Sequence, residues 1–461
     1  METAIAKSPE DTIAAISTPT GVGGIGIVRI SGPEAVPIAS RIFVSSTGRD
    51  VAREQRRVFY GEIRDGSVVV DEVLLHVMHA PHSYTCEDVV EINGHGGAGP
   101  LNAILDLVLR EGARLAGPGE FTKRAFLNGR IDLVQAEAVI DRIRAQTRAG
   151  LQAASAAASG ALSKSLGELS ETLREVKAYI EAAIDFPDQD VPELITPELR
   201  AKVEGAANRM RELIDTADAG RLFREGASVA IVGRPNVGKS SLFNALLRDA
   251  RAIVTQQPGT TRDLLEEVIT IDGIPVRLSD TAGLRDTEDE VEKIGVEVAR
   301  QALSQAAVVL FVLDAVEGVT PDDTALADEV DTFDVPLLPV LNKTDIAKGD
   351  QANLANHFSG AVPVSALTGI GLNDLESRLA TLLKGDARVA PDQGMVTRLH
   401  QKDSLRRALD GLEQLLNHFD ASPEFLSLDL DESLRALGEI TGETTPDDLL
   451  EQIFSSFCIG K

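Results

Sequence analysis

The 461-residue chain carries 72 acidic and 45 basic side chains, a formal net charge of −27, with 43% hydrophobic and 25% charged residues. This is the balance of a globular protein of about three domains, and it excludes a broad nucleic-acid-binding surface, because phosphate contacts need clustered Lys and Arg. With no Trp and three Tyr there is little surface for base stacking, and two cysteines, Cys86 and Cys458, make neither a disulfide framework nor a zinc site.

No apolar run approaches the ~20 residues of a membrane span, and the acidic start "METAIAKSPEDT" lacks the regions of a signal peptide, so a cytoplasmic protein is expected. Work on nucleic acid would need a local basic patch or a basic partner.

Residues 1–125 alternate short β-rich runs ("GIGIVRI", "VVVDEVLLHVM", "DVVEING") with Gly/Pro punctuation, which predicts an α+β domain. Residues 126–221 turn Ala-rich and helical, and Asp185-Phe186-Pro187 break that texture. Across 222–385, strand-like runs ("SVAIVG", "LEEVITIDG", "IPVRLSD", "AAVVLFVLDA", "VPLLPVLNK", "AVPVSA") alternate with helical segments, the pattern of an open sheet flanked by helices. Helical texture returns in 386–461. A helical region interrupted by a complete α/β unit predicts one domain inserted into another: a multidomain α/β and α protein.

In "SVAIVGRPNVGKSSLFNALL" an apolar strand leads through Gly233-Arg234-Pro235-Asn236-Val237-Gly238-Lys239-Ser240 into an amphipathic helix. GxxxxGK[ST] needs its glycines so that backbone N–H groups can surround phosphates; Lys239 supplies a cation and Ser240 a Mg²⁺ ligand. Two other glycine runs, Gly21–Gly26 and Gly94–Gly99, fit GxGxxG. The first leads into a strand, and the second lacks a following strand that ends in an acidic ribose ligand. Neither has the dinucleotide context.

Downstream follow Asp280-Thr281-Ala282-Gly283, Asn342-Lys343-Thr344-Asp345 and Ser365-Ala366-Leu367, each after an apolar strand. This ordered set predicts GTP. A carboxylate at Asp345 only accepts, so it pairs with the N1–H and 2-amino donors of guanine and leaves adenine unmatched. Asp280 fits the Mg²⁺-linked acid, and Gly283 can offer its N–H to the γ-phosphate. In Gly259-Thr260-Thr261-Arg262-Asp263, Thr261 is the expected second Mg²⁺ ligand. The resemblance of this ordered set to the GTPase signature further implies nucleotide contacts at Ser241 and along the loop Thr255, Gln256, Gln257, Pro258, Gly259 and Thr260.

Ras-like enzymes carry a glutamine after the DxxG motif to orient the attacking water. Here Leu284 stands in its place, followed by the acid-rich "RDTEDEVEKIG". Either the GTPase is a slow switch or its water is oriented from elsewhere.

Taken end to end, "STPTGVGGIGIVRISG", "SYTCEDVVEINGHGG", "PGEFTKRAFLNGRIDLVQAEAVIDRI", "GRPNVGKSSLFNALL", "GTTRD", "DTAGLRDTEDEVEKIG" and the terminal "FCIGK" resemble the MnmE/TrmE family of tRNA modification GTPases. Ribosome-associated GTPases of the Era type share the central set but not the flanks. A switch-type GTPase of ribosome assembly is the competing reading.

The resemblance implies an N-terminal folate-binding and dimerising domain, a helical domain in two segments and an inserted P-loop, Ras-like G domain. It implies a homodimer that joins a flavin-dependent partner of the MnmG/GidA type in a heterotetramer or larger assembly, with tRNA held mainly through that partner. Together they place a carboxymethylaminomethyl-type group on C5 of the wobble uridine, using a reduced folate (5-formyl- or methylene-tetrahydrofolate). It further implies K⁺ bound by Asn236, Thr255, Gln257 and Thr260, and water positioned by Glu292, which answers the Leu284 question. Folate contacts fall on Arg29, Glu87, Arg130 and Lys461. Cys86 stands where the family usually has glycine. The resemblance also implies that the terminal stretch folds back to the folate site and carries Cys458 with it. There the thiol is either structural or the nucleophile that adds to uracil C6.

Overall fold

The computed structural model describes residues 10–51, 58–185, 196–249, 266–280, 300, 302–347, 358–385, 394–419 and 422–461. The chain divides into two compact units. One comprises Met1–Ile140, Ala158–Ala206 and Arg407–Lys461, the other Asp141–Ala157 and Ala207–Arg406.

The first unit contains a seven-stranded sheet of β1 (Ile13–Ile16), β2 (Gly23–Ser31), β3 (Phe43–Ser45), β4 (Val58–Asp65), β5 (Val68–Met78), β6 (Val89–Gly96) and β7 (Arg114–Leu115). The spatial order is β3-β4-β5-β6-β2-β1-β7, antiparallel throughout except for the β1–β7 pair. Period-two alternation sends Val73, Leu75 and Val77 of β5, with Val90 and Ile92 of β6, into one core. The apolar stripes of helices Ala35–Ile42 and Ala98–Arg110 close over them with Ile38, Ile42, Ile104 and Val108.

The two GxGxxG-like runs meet in this sheet, Gly23 pairing with Gly96 and Gly26 with Gly94. A Cβ on Gly96 would stand 2.6 Å from the carbonyl oxygen of Gly23. Gly96 thus permits the close approach of β2, while a Cβ on Gly26 would meet the Leu101 side chain and one on Gly94 the Asp71 carboxylate.

The long helix Ala161–Asp185 buries Leu162, Leu166, Leu169, Leu173, Val176 and Ile180, a 4-3 spacing that keeps one seam on a partner helix. That partner is Pro423–Thr441, opened by Pro423 at its first turn and closed by Gly442 at φ 98°. The terminal helix Asp447–Ser455 packs Phe454, with Phe457 beyond it, on Phe126 and Leu133.

The second unit holds a six-stranded sheet in the order β13-β12-β11-β8-β10-β9: β8 (Ala227–Val232), β9 (Glu266–Ile271), β10 (Ile274–Asp280), β11 (Val308–Asp314), β12 (Leu337–Asn342) and β13 (Val362–Pro363). All pairs are parallel except β9 with β10. The continuous apolar run of β11 is buried at every position, as a central strand with both faces covered requires. Separate hydrophobic clusters form on the two faces.

Asp141–Ala157 belongs with this unit for a local reason. Thr147 Oγ1 donates to the carbonyl oxygen of Gly273 in the β9–β10 turn (2.8 Å), and a Cβ on Gly150 would meet Phe223 O at 2.7 Å. Among the described residues no helix is long and apolar enough to cross a membrane.

Candidate nucleotide and folate sites

Parallel register places the carboxyl ends of β8, β11 and β12 side by side, with Phe311 opposite Val232 and Asp314 opposite Asn342. The crevice at these ends is where open α/β sheets bind ligands. The loop after β8 turns into helix Lys239–Asp249 with Asn236 at φ 66° and Gly238 at φ 97°. A Cβ at Gly238 would stand 2.3 Å from Asn342 Nδ2, so glycine is required there for contact as well as for conformation. Lys239 Nζ donates to the carbonyl oxygens of Gly233 (2.8 Å) and Arg234 (2.9 Å), which curls the loop around the ammonium.

The second and third motifs close on the first. Buried Asn342 donates from Nδ2 to Val237 O (3.0 Å), and its Oδ1 accepts the Ala366 N–H (3.0 Å). Asn342 thereby ties the phosphate loop to the Ser365-Ala366-Leu367 turn. Ser365 Oγ donates to Asp345 Oδ1 (2.7 Å), which orients an otherwise exposed carboxylate. Lys343, at φ 65°, donates from Nζ to Asn236 O (2.7 Å) and to Asp314 Oδ2 (2.6 Å). Burial pushes the Asp314 carboxyl up. Lys343 and the N–H groups of Val316 and Glu317 more than reverse that, and the net position lies below the usual carboxylate range.

Thus Asn236, Val237, Gly238, Lys239, Asn342, Lys343, Asp345, Ser365 and Ala366 converge on one site. Ser240 and Ser241 open the following helix, Thr344 N donates to Val364 O at 3.2 Å, and Leu367 stands exposed beside Ala366. The arrangement fits a guanine nucleotide: acceptors and donors of fixed direction at the base end, glycine-lined backbone and a lysine at the phosphate end. Thr255, Gln256, Gln257, Pro258, Gly259, Thr260, Thr261, Thr281, Ala282, Gly283 and Glu292 lie outside the described residues, as does the side chain of Asp280. Among the described residues no group of three or more His, Cys, Asp or Glu could hold a metal ion.

Sequence reading passed over two partners here. Arg234 Nε donates to fully buried Asp323 (2.7 Å), whose other oxygen accepts from Thr320 N and Oγ1 and caps helix Pro321–Asp331. Asp314 was the other, although an acid that ends a fully apolar strand was a signal available in "VVLFVLD".

In the first unit, Arg29 on β2 pairs with Glu91 of the adjacent strand (2.8 Å) and donates to Gly460 O (3.2 Å). Its guanidinium lies 5.8 Å from the Tyr84 ring centre and 5.5 Å from that of Phe121. Arg130 approaches the same Tyr84 ring at 4.9 Å and donates to Tyr84 O (2.9 Å). Glu87 accepts from Ser31 Oγ (2.6 Å) and from Arg124 (3.2 and 3.3 Å).

Arg124 itself is fully buried and also pairs with Asp11 and Glu120. No local spacing announces it. Cys86, next to Glu87, holds φ 60°, the left-handed conformation that a glycine would adopt without strain.

The chain end returns to this place. Ile459 forms an antiparallel bridge with Pro118, Gly119 N donates to Cys458 O (3.4 Å), and Gly460 sits at φ 93° against β1. Burial and the nearby Arg29 push the Lys461 ammonium below the usual lysine range. Arg29, Tyr84, Arg130 and the terminal segment thus form a connected set of cations around an aromatic ring, suited to a ligand with carboxylates and a flat ring. Cys458 is exposed and Cys86 partly so, both as free thiols.

Residues 12–130 match the family described as "GTP-binding protein TrmE N-terminus", and residues 133–458 that described as "MnmE helical domain". The chain is 46% identical to the tRNA modification GTPase MnmE of Alkaliphilus oremlandii, over 98% of this chain and 99% of that one. It is 45% identical to the protein of the same name from Carboxydothermus hydrogenoformans and 44% to that from Bacillus subtilis, in both cases over 98% of this chain and 100% of the relative.

Proposed function

The chain belongs to the MnmE family of tRNA modification GTPases, and from that premise we propose a specific reaction for its GTP cycle. With a flavin-dependent partner, the protein adds a carboxymethylaminomethyl-type group at C5 of the wobble uridine of certain tRNAs, drawing the one-carbon unit from a reduced folate. The observation that carries this reading is the return of Ile459, Gly460 and Lys461 to Pro118, β1 and Arg29. It brings a terminal cation and a thiol-bearing segment to one arginine- and tyrosine-lined site.

In this reading residues 1–125 form the folate-binding and dimerising domain, 126–221 and 386–461 the helical domain, and 222–385 the G domain. Arg29, Arg130 and Lys461 would hold folate carboxylates, and Glu87, oriented by Arg124, would accept from the pterin N–H groups. Homodimer formation is supported by apolar side chains that stand outward on β4 and β5, where exposed Tyr60 lies directly across from exposed Leu74.

At the nucleotide, Asp345 selects guanine and Lys239 neutralises phosphate charge. Ser240 and Thr261, with Asp280, would hold Mg²⁺. Asn236, Thr255, Gln257 and Thr260 would hold K⁺, and Glu292 would position the water. Magnesium and potassium supply positive charge where it offsets the charge that develops on the transferred phosphoryl group.

Mass spectrometry of wobble uridines tests the reading. A deletion strain should lack the C5 modification, and wild-type protein should restore it while an Arg29→Ala variant should not. Full modification in the deletion strain would refute it.

A further inference from the structure

We propose that Asp314, which lies outside every GTPase motif, is a positioning residue that latches the guanine-motif lysine onto the phosphate loop. Among the described residues only five non-glycine residues hold a positive φ, and two of them, Asn236 and Lys343, are joined by a single hydrogen bond from Lys343 Nζ to Asn236 O. Strained backbone of this kind persists only where its surroundings hold it. The same ammonium is held from the other side by Asp314 Oδ2 at 2.6 Å.

The order of cause follows from what fixes each partner. Asp314 ends β11 opposite Asn342, its side chain is buried, and its Oδ1 accepts the Val316 N–H at 2.8 Å. Its position is set by its own strand end and does not need the lysine. Lys343, by contrast, is a long side chain about one-third exposed. Without the carboxylate its ammonium has no fixed direction, and the tie to Asn236 loosens. Asp314 thus makes the base end and the phosphate end of the site one rigid frame. Its second consequence rests on the proposed role of Asn236 in potassium binding: the latch sets the conformation of that residue, and hence the potassium requirement.

The test is a double-mutant cycle on the full chain, read as release of a fluorescent GDP analogue in Mg²⁺ buffer. Asp314→Asn is nearly isosteric and keeps an acceptor for Val316 N–H. It should release GDP about tenfold faster, the scale of one hydrogen bond to a charged group. Lys343→Met should do at least as much, and adding Asp314→Asn to it should change nothing more. The K⁺ concentration that half-activates hydrolysis should rise in Asp314→Asn at constant ionic strength.

Wild-type GDP release in Asp314→Asn, or effects that multiply in the double variant, would overturn the proposal. So would a lowered melting temperature with both readouts unmoved. Asp314→Ser serves if the Asn variant fails to fold. Wild-type protein equally active in Na⁺ and K⁺ removes the potassium reading, and the GDP-release cycle still decides Asp314.

Discussion

Arg29 donates a 3.2 Å hydrogen bond to the carbonyl oxygen of Gly460, which lies 431 positions further along the chain. The contact depends on Gly460 having no side chain. At φ 93° its Cα packs on β1, and a Cβ would stand 2.4 Å from the carbonyl oxygen of Ile16. Gly460→Ala should therefore displace Lys461 and weaken reduced-folate binding, by about tenfold if one charged contact is lost. GTP hydrolysis should stay unchanged. Isothermal calorimetry with a reduced folate measures the first and phosphate release the second; unaltered folate affinity would remove the tail from that site.

Asp345 is held by Ser365 Oγ at 2.7 Å, which fixes the orientation of the carboxylate proposed to select guanine. Asp345→Asn turns one acceptor into a donor. GTP affinity should fall on the order of 10²-fold, the scale of two hydrogen bonds to a charged group, while binding of xanthosine triphosphate is gained. Competition between the two nucleotides checks this, and retained GTP preference would contradict the role of Asp345.

Cys86 holds φ 60° immediately before Glu87. A side chain in the left-handed region costs about 1 kcal/mol relative to glycine, partly offset by the greater freedom of glycine in the unfolded chain. Cys86→Gly should raise stability by about 0.5 kcal/mol, read from the urea transition of the first unit, with folate affinity retained. A loss of stability would mean that the thiol makes packing contacts that outweigh the backbone strain.

What the sequence disclosed is what local chemistry dictates. The apolar run before Gly233, the acid at Asp345 and the serine at Ser365 have one sensible use each, and the structure gathers them. The glycine runs at Gly21–Gly26 and Gly94–Gly99 lacked a dinucleotide context, and Gly23 and Gly26 of the first pair across strands with Gly96 and Gly94 of the second. Hidden from the sequence were contacts whose partners are distant and of common type. Arg124 reaches Asp11 across 113 positions, and nothing in "FTKRAFL" distinguishes it from a surface arginine. The placement of helix Arg148–Ala158 turned on Thr147 and Gly150, two small residues whose importance lies only in how closely Gly273 and Phe223 approach.

His95 Nδ1 lies 2.6 Å from Asp71 Oδ1, and this hydrogen bond, with the attraction of the carboxylate, raises the imidazole above its ordinary 6.5. A raised folded value means that the pairing stabilises fully below the unfolded value and is lost as pH climbs through the folded one. The His95 resonance should titrate with a midpoint above 6.5 in NMR, and Asp71→Asn should bring it down. A wild-type midpoint at or below that value would show that the pair does not hold in solution.

Cys458 is tied into the fold by its backbone. Its carbonyl oxygen accepts from Gly119 N (3.4 Å) and Lys461 N (3.3 Å), and the neighbouring Ile459 bridges to Pro118. The thiol is exposed, so it adds nothing to the core. Cys458→Ser, nearly isosteric, should leave folding, GTP hydrolysis and folate binding at wild-type values. If the thiolate adds to uracil C6 and makes C5 nucleophilic, the variant should yield unmodified wobble uridine, because a serine hydroxyl is a far weaker nucleophile at neutral pH. Mass spectrometry of tRNA from a strain carrying only the variant decides between the two roles. Modified uridine at wild-type level would assign the addition step to the partner protein and leave Cys458 a positional residue of the returning tail.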